Sequence, residues 1–155
     1  MANPVAEVAA RKLLRNYANL PVSLEHLCKL QGIELRFMTL GKINAIAFRQ
    51  RDTKVILVND TLCRNRQRFS IAHEIGHIFM EHGYISFSIE LNNQRPKWQE
   101  PQANSFASEL LMPRRLLVRY GFLTTQQIAE MCEVSLEAAT YRAERLGWMQ
   151  TELGI

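Results

Sequence analysis

The chain has 155 residues and a formal net charge of +4, with 47% hydrophobic and 22% charged residues. This size and composition predict one folded domain, or a domain with a small extension, and exclude an intrinsically disordered chain. The small positive charge permits an acidic or nucleic-acid partner without indicating either. No stretch approaches the roughly 20 apolar residues of a membrane span. Because the three cysteines are widely spaced and fit reduced thiols, we expect a cytoplasmic protein with no membrane partner.

Two short helices are predicted at the N-terminal end. Asn3 is a favoured N-cap with Pro4 at the first helical position, and Ser23 caps a second helix that ends at Gly32. Three strand-like segments follow, with the sequences IELRFMTL, INAIAFRQ and KVILVN. Because the segments between them are short enough for hairpin turns, they predict a small antiparallel sheet within an α+β fold.

A long helix is predicted after the third strand. Its candidate N-caps are Asn59, Asp60 and Thr61. It runs to about His82, before the stop signal Gly83. The next segment, YISFSIELNNQRPKW, has no sustained period and is predicted as a loop with an edge strand. A helix from about Pro101 to Met112 and two shorter helices complete the chain.

The long helix carries the sequence His73-Glu-Ile-Gly-His77. Residues four apart are separated by about 40° around a helix axis, so His73 and His77 can share one metal ion. Glu74 lies about 100° further round, where it can contact a metal-bound water and act as a catalytic base. Gly76 permits close approach of a neighbouring element. The pattern predicts a metal-dependent hydrolytic site, and the alternative is a pair of hydrogen-bonded core histidines.

A catalytic zinc site needs a third protein ligand. In WQEPQANSFASELLMP, Glu100 shares a helical face with apolar residues, whereas Glu109 is predicted about 180° away, facing solvent. Asn104 lies one turn after Glu100, where its amide could hold a ligating histidine by the outer nitrogen. Pro101 leaves open whether Glu100 caps this helix or lies in its first turn. We therefore predict Glu100 as the ligand, with Glu109 as the second choice.

Three further aromatic or imidazole side chains are relevant to the site. A peptidase also needs a group that stabilises the tetrahedral oxyanion, and Tyr84 and Tyr120 are candidates, with packed aromatic side chains as the alternative. His82 is nine positions from His73, which predicts a helix-end residue on the opposite side and not a ligand.

Arginines precede the motif at Arg64, Arg66 and Arg68. Cations near a helix N-terminus oppose the helix dipole and need a compensating partner. A solvated face, or internal pairs with Asp60 and Glu81, is the default interpretation. The alternative is a surface that docks an acidic segment of a substrate.

The C-terminal sequence TTQQIAEMCEVSLEAATYRAERLGW has the pattern of a helix-turn-helix pair, with caps at Thr124 or Thr125 and at Ser135. If this pair bound DNA, the contacts would be Thr140, Tyr141, Arg142 and Arg145. Glu137 and Glu144 weaken phosphate attraction on the same helix. We therefore interpret residues 122–155 as a helical extension packed on a domain of residues 1–121, with DNA binding as the less favoured alternative.

Two motifs together, RQRFSIAHEIGHIFMEH and EPQANSFASELLMP, resemble the ImmA/IrrE family of small intracellular metallopeptidases. The resemblance implies a compact zincin-like fold of the kind that takes a glutamate as the third ligand. It further implies His73, His77 and Glu100 as zinc ligands, Glu74 as the base and Asn104 as support for a ligand. Family members cleave or inactivate a helix-turn-helix repressor, which switches on genes of a mobile element or a stress response, and some act in toxin–antitoxin pairs.

The motifs and the resemblance together predict a zinc endopeptidase of gluzincin type, although manganese or iron would also suit the ligands. The resemblance implies that its substrate is a repressor or an antitoxin. Two alternatives keep the metal site but not the catalysis. One is a DNA-binding regulator, and the other is a regulator that sequesters its partner without cutting it.

Overall fold

The computed structural model describes residues 3–82, 95–121 and 123–148. In chain order the elements are α1 (Pro4–Leu13), α2 (Leu24–Leu30), β1 (Ile33–Met38), β2 (Ala45–Gln50), β3 (Thr53–Asn59), α3 (Arg64–Phe79), α4 (Gln99–Leu111), α5 (Arg114–Leu117), a 3-10 turn (Val118–Tyr120), α6 (Thr125–Cys132) and α7 (Leu136–Arg145). Helices and sheet share a hydrophobic core, which confirms the α+β prediction. The predicted edge strand within YISFSIELNNQRPKW lies mostly outside the described residues. Within the described ranges, no helix is long and apolar enough to cross a membrane.

The sheet is mixed, with the strand order β1-β3-β2. β2 pairs antiparallel with β3 through a tight turn at Arg51, whose φ is +55°, but β1 pairs parallel with β3. The prediction of an antiparallel sheet is therefore wrong for β1. The physical reason is that β3 carries the buried apolar run VILV and takes the central position, whereas β1 and β2 keep exposed residues at the edges.

The predicted N-caps Asn3, Ser23 and Ser135 accept hydrogen bonds from backbone N–H groups of their helices. Thr124, and not Thr125, caps α6, and it forms a reciprocal capping box with Gln127. These caps were predictable because each depends only on residues within one turn of the helix start.

α3 begins later than predicted, at Arg64, and none of the three candidate caps closes it. Asn59 instead donates its side-chain amide to the carbonyls of Gly41 and Ile43, 3.1 and 2.9 Å away, and so holds the loop before β2. An asparagine can bond either to a helix start or to a nearby loop, and the local sequence does not rank the two.

α3 also ends earlier than predicted, at Phe79. Glu81 takes a left-handed conformation with a φ of +55°, and the N–H of His82 donates to the carbonyl of His77 over 3.0 Å. The chain therefore folds back at His82. The prediction that His82 lies on the opposite side of a continuing helix is wrong.

α3 and α4 pack closely at Gly76, as the sequence predicts. A Cβ atom at Gly76 would lie 3.0 Å from the Phe106 ring, and that ring stacks on Phe79 with centroids 6.2 Å apart. A larger residue than glycine would force these helices apart. The close approach brings the histidine motif of α3 against the first turns of α4.

α1 packs on α4, and arginines from both α1 and α7 reach Glu109 of α4: Arg11 at 3.3 Å, and Arg142. Glu109 is buried and pairs with Arg142, which is also buried, so the prediction that Glu109 faces solvent is wrong. Arg145 pairs with Glu7 on α1. Neither arginine is the exposed side chain that DNA contact requires. The hydrophobic period of α4 predicts that Glu109 lies on the face opposite Glu100. It does not predict whether another element covers that face.

Candidate metal centre

α3 holds the two motif histidines one turn apart on a protected face. Their Nε2 atoms are 3.0 Å apart, and His77 is completely buried whereas His73 is partly exposed. Two nitrogens on a tetrahedral zinc, each bonded at about 2.0–2.1 Å, are roughly 3.3 Å apart. The pair is therefore close to the spacing that one zinc ion requires.

Glu100 supplies a carboxylate to the same point from the first turn of α4. Its two oxygens lie 3.0 Å from Nε2 of His73 and 3.1 Å from Nε2 of His77, and its side chain is 46% exposed. Pro101 follows within the helix, where its missing N–H would have no helical partner. Glu100 therefore lies inside the helix and is not its cap. The exposure leaves one side of the cluster open to substrate and water.

Glu74 is the geometric rival of Glu100 as third ligand. The ligand atoms of His73, Glu74 and His77 all lie within 4.8 Å of one another. The Glu74 carboxylate, however, accepts a hydrogen bond from the N–H of Ala47 at 3.0 Å and a double hydrogen bond from Arg95. The geometry favours Glu100 as the candidate third ligand, because its oxygens approach both Nε2 atoms directly, whereas those of Glu74 are engaged by these donors.

Arg95 contacts the Glu74 carboxylate, and the sequence patterns did not predict this contact. Its Nη1 and Nη2 atoms lie 3.2 and 2.9 Å from the two oxygens of Glu74, and both side chains are more than nine-tenths buried. Its Nε is buried without a hydrogen-bond partner in the described structure. The sequence around RPKW has no periodic pattern that predicts this contact, because Arg95 and Glu74 are 21 residues apart in the chain.

The outer nitrogen of His73 contacts an amide of α4. Nδ1 of His73 lies 2.8 Å from Oδ1 of Asn104. Because an amide oxygen only accepts hydrogen bonds, Nδ1 carries the proton and Nε2 presents its lone pair to the cluster. The structure thus brings Asn104 against His73, and its role in supporting a metal ligand stays a prediction.

The outer nitrogen of His77 contacts a second histidine. Nδ1 of His77 lies 2.9 Å from Nδ1 of His82, whose Nε2 lies 2.8 Å from Oε1 of Gln102. Burial, followed by the charges of Arg95 and the neighbouring histidines, lowers the pKa of His77 to about 2. His77 is therefore neutral at ordinary pH, as a metal ligand must be. The donor set of two neutral imidazoles and a carboxylate fits zinc.

The three arginines before the motif have different environments. Arg68 is buried and donates to the carbonyls of Val22 and Cys132 at 3.1 and 3.2 Å, so neither the solvated face nor the docking alternative holds for Arg68. Arg64 pairs with Glu133 at 2.8 Å, and not with either predicted partner.

Arg66 is exposed, and it lines a groove of about 900 Å³ between α3, α4 and α7. The same groove includes Phe69 and Tyr141 and reaches Asn104, which contacts His73. The groove therefore leads from the C-terminal helices to the edge of the metal centre.

Of the two tyrosines predicted as oxyanion stabilisers, only Tyr120 lies within the residues that the structure describes. Tyr84 lies outside the described residues. Tyr120 is exposed at the end of the 3-10 turn, and within the described ranges no hydrogen bond joins it to His73, His77 or Glu100. The oxyanion-stabilising role stays a prediction for both.

A histidine-glutamate-x-x-histidine helix faced by a glutamate, in an α+β fold, defines the metallopeptidase class of site. A comparison with protein families identifies one family within this class. The chain belongs to the IrrE N-terminal-like domain family, whose model matches residues 28–144.

Similar proteins agree with the family assignment. Metallopeptidase ImmA of Bacillus subtilis is 28% identical over 127 residues, covering 78% of this chain and 75% of that protein. The radiation response metalloprotease IrrE of Deinococcus radiodurans is 32% identical over 120 residues, covering 71% of this chain and 36% of that protein. IrrE of Deinococcus deserti is 34% identical, covering 90% of this chain and 54% of that protein. The chain thus spans about a third to a half of the Deinococcus proteins.

A transcriptional regulator of Mycobacterium tuberculosis has a similar fold, with a TM-score of 0.63 at 19% identity. The match covers 98% of this chain and 49% of that chain. At this identity the likeness is one of fold.

Proposed function

We propose that this protein is a cytoplasmic zinc endopeptidase of gluzincin type that cleaves a helix-turn-helix repressor or an antitoxin. The observation that carries the proposal is the convergence of Glu100 on the Nε2 atoms of His73 and His77, with Glu74 beside them. Relatives named metallopeptidase and metalloprotease support the reaction.

His73, His77 and Glu100 would hold the metal ion. The chemistry that zinc supplies when bound at such a site is polarisation of the scissile carbonyl and acidification of a water molecule. Manganese or iron would also suit this donor set, and zinc suits it best.

Glu74 would take the proton from the attacking water and return it to the leaving amine. Oε2 of Glu74 accepts from both Ala47 and Arg95, whereas Oε1 accepts from Arg95 alone. Each carboxylate oxygen accepts about two hydrogen bonds, so Oε1 keeps a free acceptor position. Oε1 is therefore the atom to which the proton would move.

The groove beside Asn104 would hold the substrate. Arg66 is its exposed cation, and within the described residues no ion pair joins Arg66 to a carboxylate. An acidic substrate segment could therefore pair with Arg66 while apolar side chains contact Phe69 and Tyr141. This proposal keeps the docking alternative for Arg66 alone among the three arginines.

The test is incubation of the zinc-loaded protein with a helix-turn-helix regulator encoded beside it, followed by intact-mass measurement. Wild type should release two fragments whose masses sum to the substrate plus one water. Glu74→Gln should bind zinc and substrate but release none, because the amide cannot accept the proton. Fragments from Glu74→Gln at the wild-type rate would overturn the role of Glu74. Stable binding by zinc-loaded wild type without cleavage would instead establish the sequestering alternative.

A further inference from the structure

His77 is connected to α4 through a chain of two side chains that the proposed reaction does not use. Nδ1 of His77 contacts Nδ1 of His82 at 2.9 Å, and Nε2 of His82 contacts Oε1 of Gln102 at 2.8 Å. The His82 ring also lies edge-on to Trp98, with centroids 5.6 Å apart. His82 is thus held on both ring nitrogens and on one edge.

The backbone places His82 at this point. The left-handed conformation of Glu81 ends the helix and lets the N–H of His82 donate to the carbonyl of His77 over 3.0 Å. His82 therefore contacts His77 through both its main chain and its side chain. Gln102 lies two residues after Glu100 on α4, so the helix that supplies the carboxylate also supplies the end of this chain.

The hydrogen-bonding capacities determine where each proton lies. The amide oxygen of Gln102 only accepts, so Nε2 of His82 carries a proton. In a neutral His82, Nδ1 is then an acceptor, and the short contact requires Nδ1 of His77 to be the donor. The lone pair of His77 is consequently on Nε2, which faces His73 and Glu100.

We infer that His82 and Gln102 are positioning residues that fix the tautomer and ring orientation of His77 for metal binding. Asn104 does the same for His73 directly, so each histidine is held from behind by an amide of α4. Without His82, the buried His77 could place its proton on Nε2 and block the metal. The inference rests on the metal site of the proposed function, and not on the proposed proteolysis.

The first measurement is zinc affinity, by competition with a chromophoric chelator. His82→Leu should bind zinc about 10–100-fold more weakly, the range for loss of a group that supports a ligand. His82→Asn keeps an acceptor near the Nδ1 position and should recover most of the affinity. Gln102→Leu should weaken zinc binding less than His82→Leu does. It removes the hydrogen bond that fixes the tautomer of His82 but keeps the His82 ring. His26→Leu, at the exposed histidine of α2, is the matched control and should bind as wild type does.

The second measurement is nitrogen NMR of the metal-free protein, which reports the tautomer directly. His77 should be protonated on Nδ1 in wild type and should lose this single tautomer in Gln102→Leu and His82→Leu. Wild-type zinc affinity in His82→Leu, or a mixture of His77 tautomers in wild type, would overturn the inference. If wild type bound no zinc, the proposed function would fail, and the NMR result would still decide the role of His82. If His82→Leu did not fold, His82→Asn and Gln102→Leu would decide it.

Discussion

The guanidinium of Arg142 on α7 pairs with the carboxylate of Glu109 on α4, and each side chain is only 1% exposed. The pair joins the C-terminal helices to the helix that carries Glu100. Arg142 also donates to the carbonyl of Met112 over 3.2 Å, so the guanidinium is engaged on several sides. The C-terminal helices are therefore attached to the scaffold of the metal centre by a buried charge.

The first prediction is that Arg142→Met destabilises the fold by about 3–5 kcal/mol, because it leaves the Glu109 carboxylate buried without its main partner. Adding Glu109→Leu should recover much of this loss, since two apolar side chains often replace a buried pair at little cost. Urea unfolding measures the free energy of unfolding of the single and the double variant. The control is Arg114→Met, at an exposed arginine, which should change stability by less than about 0.5 kcal/mol. A loss below about 1 kcal/mol in Arg142→Met would contradict the prediction.

The two glutamates of α4 should separate metal binding from stability. Glu100→Ala should weaken zinc binding by at least about tenfold with little change in folding, since its side chain is half exposed. Glu109→Ala should destabilise the fold but leave the zinc affinity of the folded protein near that of wild type. Chelator competition and urea unfolding distinguish the two. If Glu109→Ala lost zinc and Glu100→Ala kept it, Glu109 and not Glu100 would be the metal ligand.

Arg95 and Glu74 should be energetically coupled. Arg95→Met leaves Glu74 buried with an uncompensated charge and should cost about 3 kcal/mol. Glu74→Gln removes that charge and keeps an acceptor for Ala47, so the double variant should lose less than the sum of the two single variants. A double-mutant cycle of unfolding free energies should give a coupling above about 1 kcal/mol. Additive effects would show that the ion pair does not stabilise the fold.

The metal-free protein should become less stable as the pH falls. Burial, followed by the charge of Arg95, lowers the pKa of His77 to about 2 from an ordinary value of 6.5. Between these values the unfolded chain binds the extra proton, so protonation favours unfolding by about 1.4 kcal/mol per pH unit. Stability measured from about pH 7 to about pH 5 should fall less steeply in His77→Gln. Equal slopes in the two proteins would rule out His77 as the group responsible.

We propose that residues 122–155 are an extension that closes the domain of residues 1–121. Ile128, Cys132 and Ala139 are buried in the core shared with the rest of the chain. Removing everything after Gly121 should therefore unfold the protein. It removes these buried side chains and also Arg142, the buried partner of Glu109, and breaking such a pair costs about 3–5 kcal/mol against a net stability of about 5–15 kcal/mol. Circular dichroism and zinc content of the fragment measure the outcome. A stable, zinc-binding fragment would show that the C-terminal helices form a separate module.

The sequence by itself determined the features that depend on neighbours within a few residues. The spacing of His73 and His77 places both on one face of a helix, since helical geometry repeats every 3.6 residues. The caps at Asn3 and Ser23 followed from the same local physics. The position of Glu100 relative to Asn104 was also predictable, because both lie on one short helix.

Only the tertiary structure decided which distant groups meet. The contact of Arg95 with Glu74 and the pairing of Arg142 with Glu109 join residues far apart in sequence, and a period along one helix does not identify the element that covers it. The parallel direction of β1 was equally undetermined, because the alternation of side chains along a strand does not fix its direction relative to its neighbour. His82 is near His77 in sequence, yet the contact between their rings depends on how α3 ends. Just after the helix, Glu81, a residue other than glycine, takes a left-handed conformation. Local preference disfavours this conformation for a residue with a Cβ atom, which is why the sequence did not reveal it.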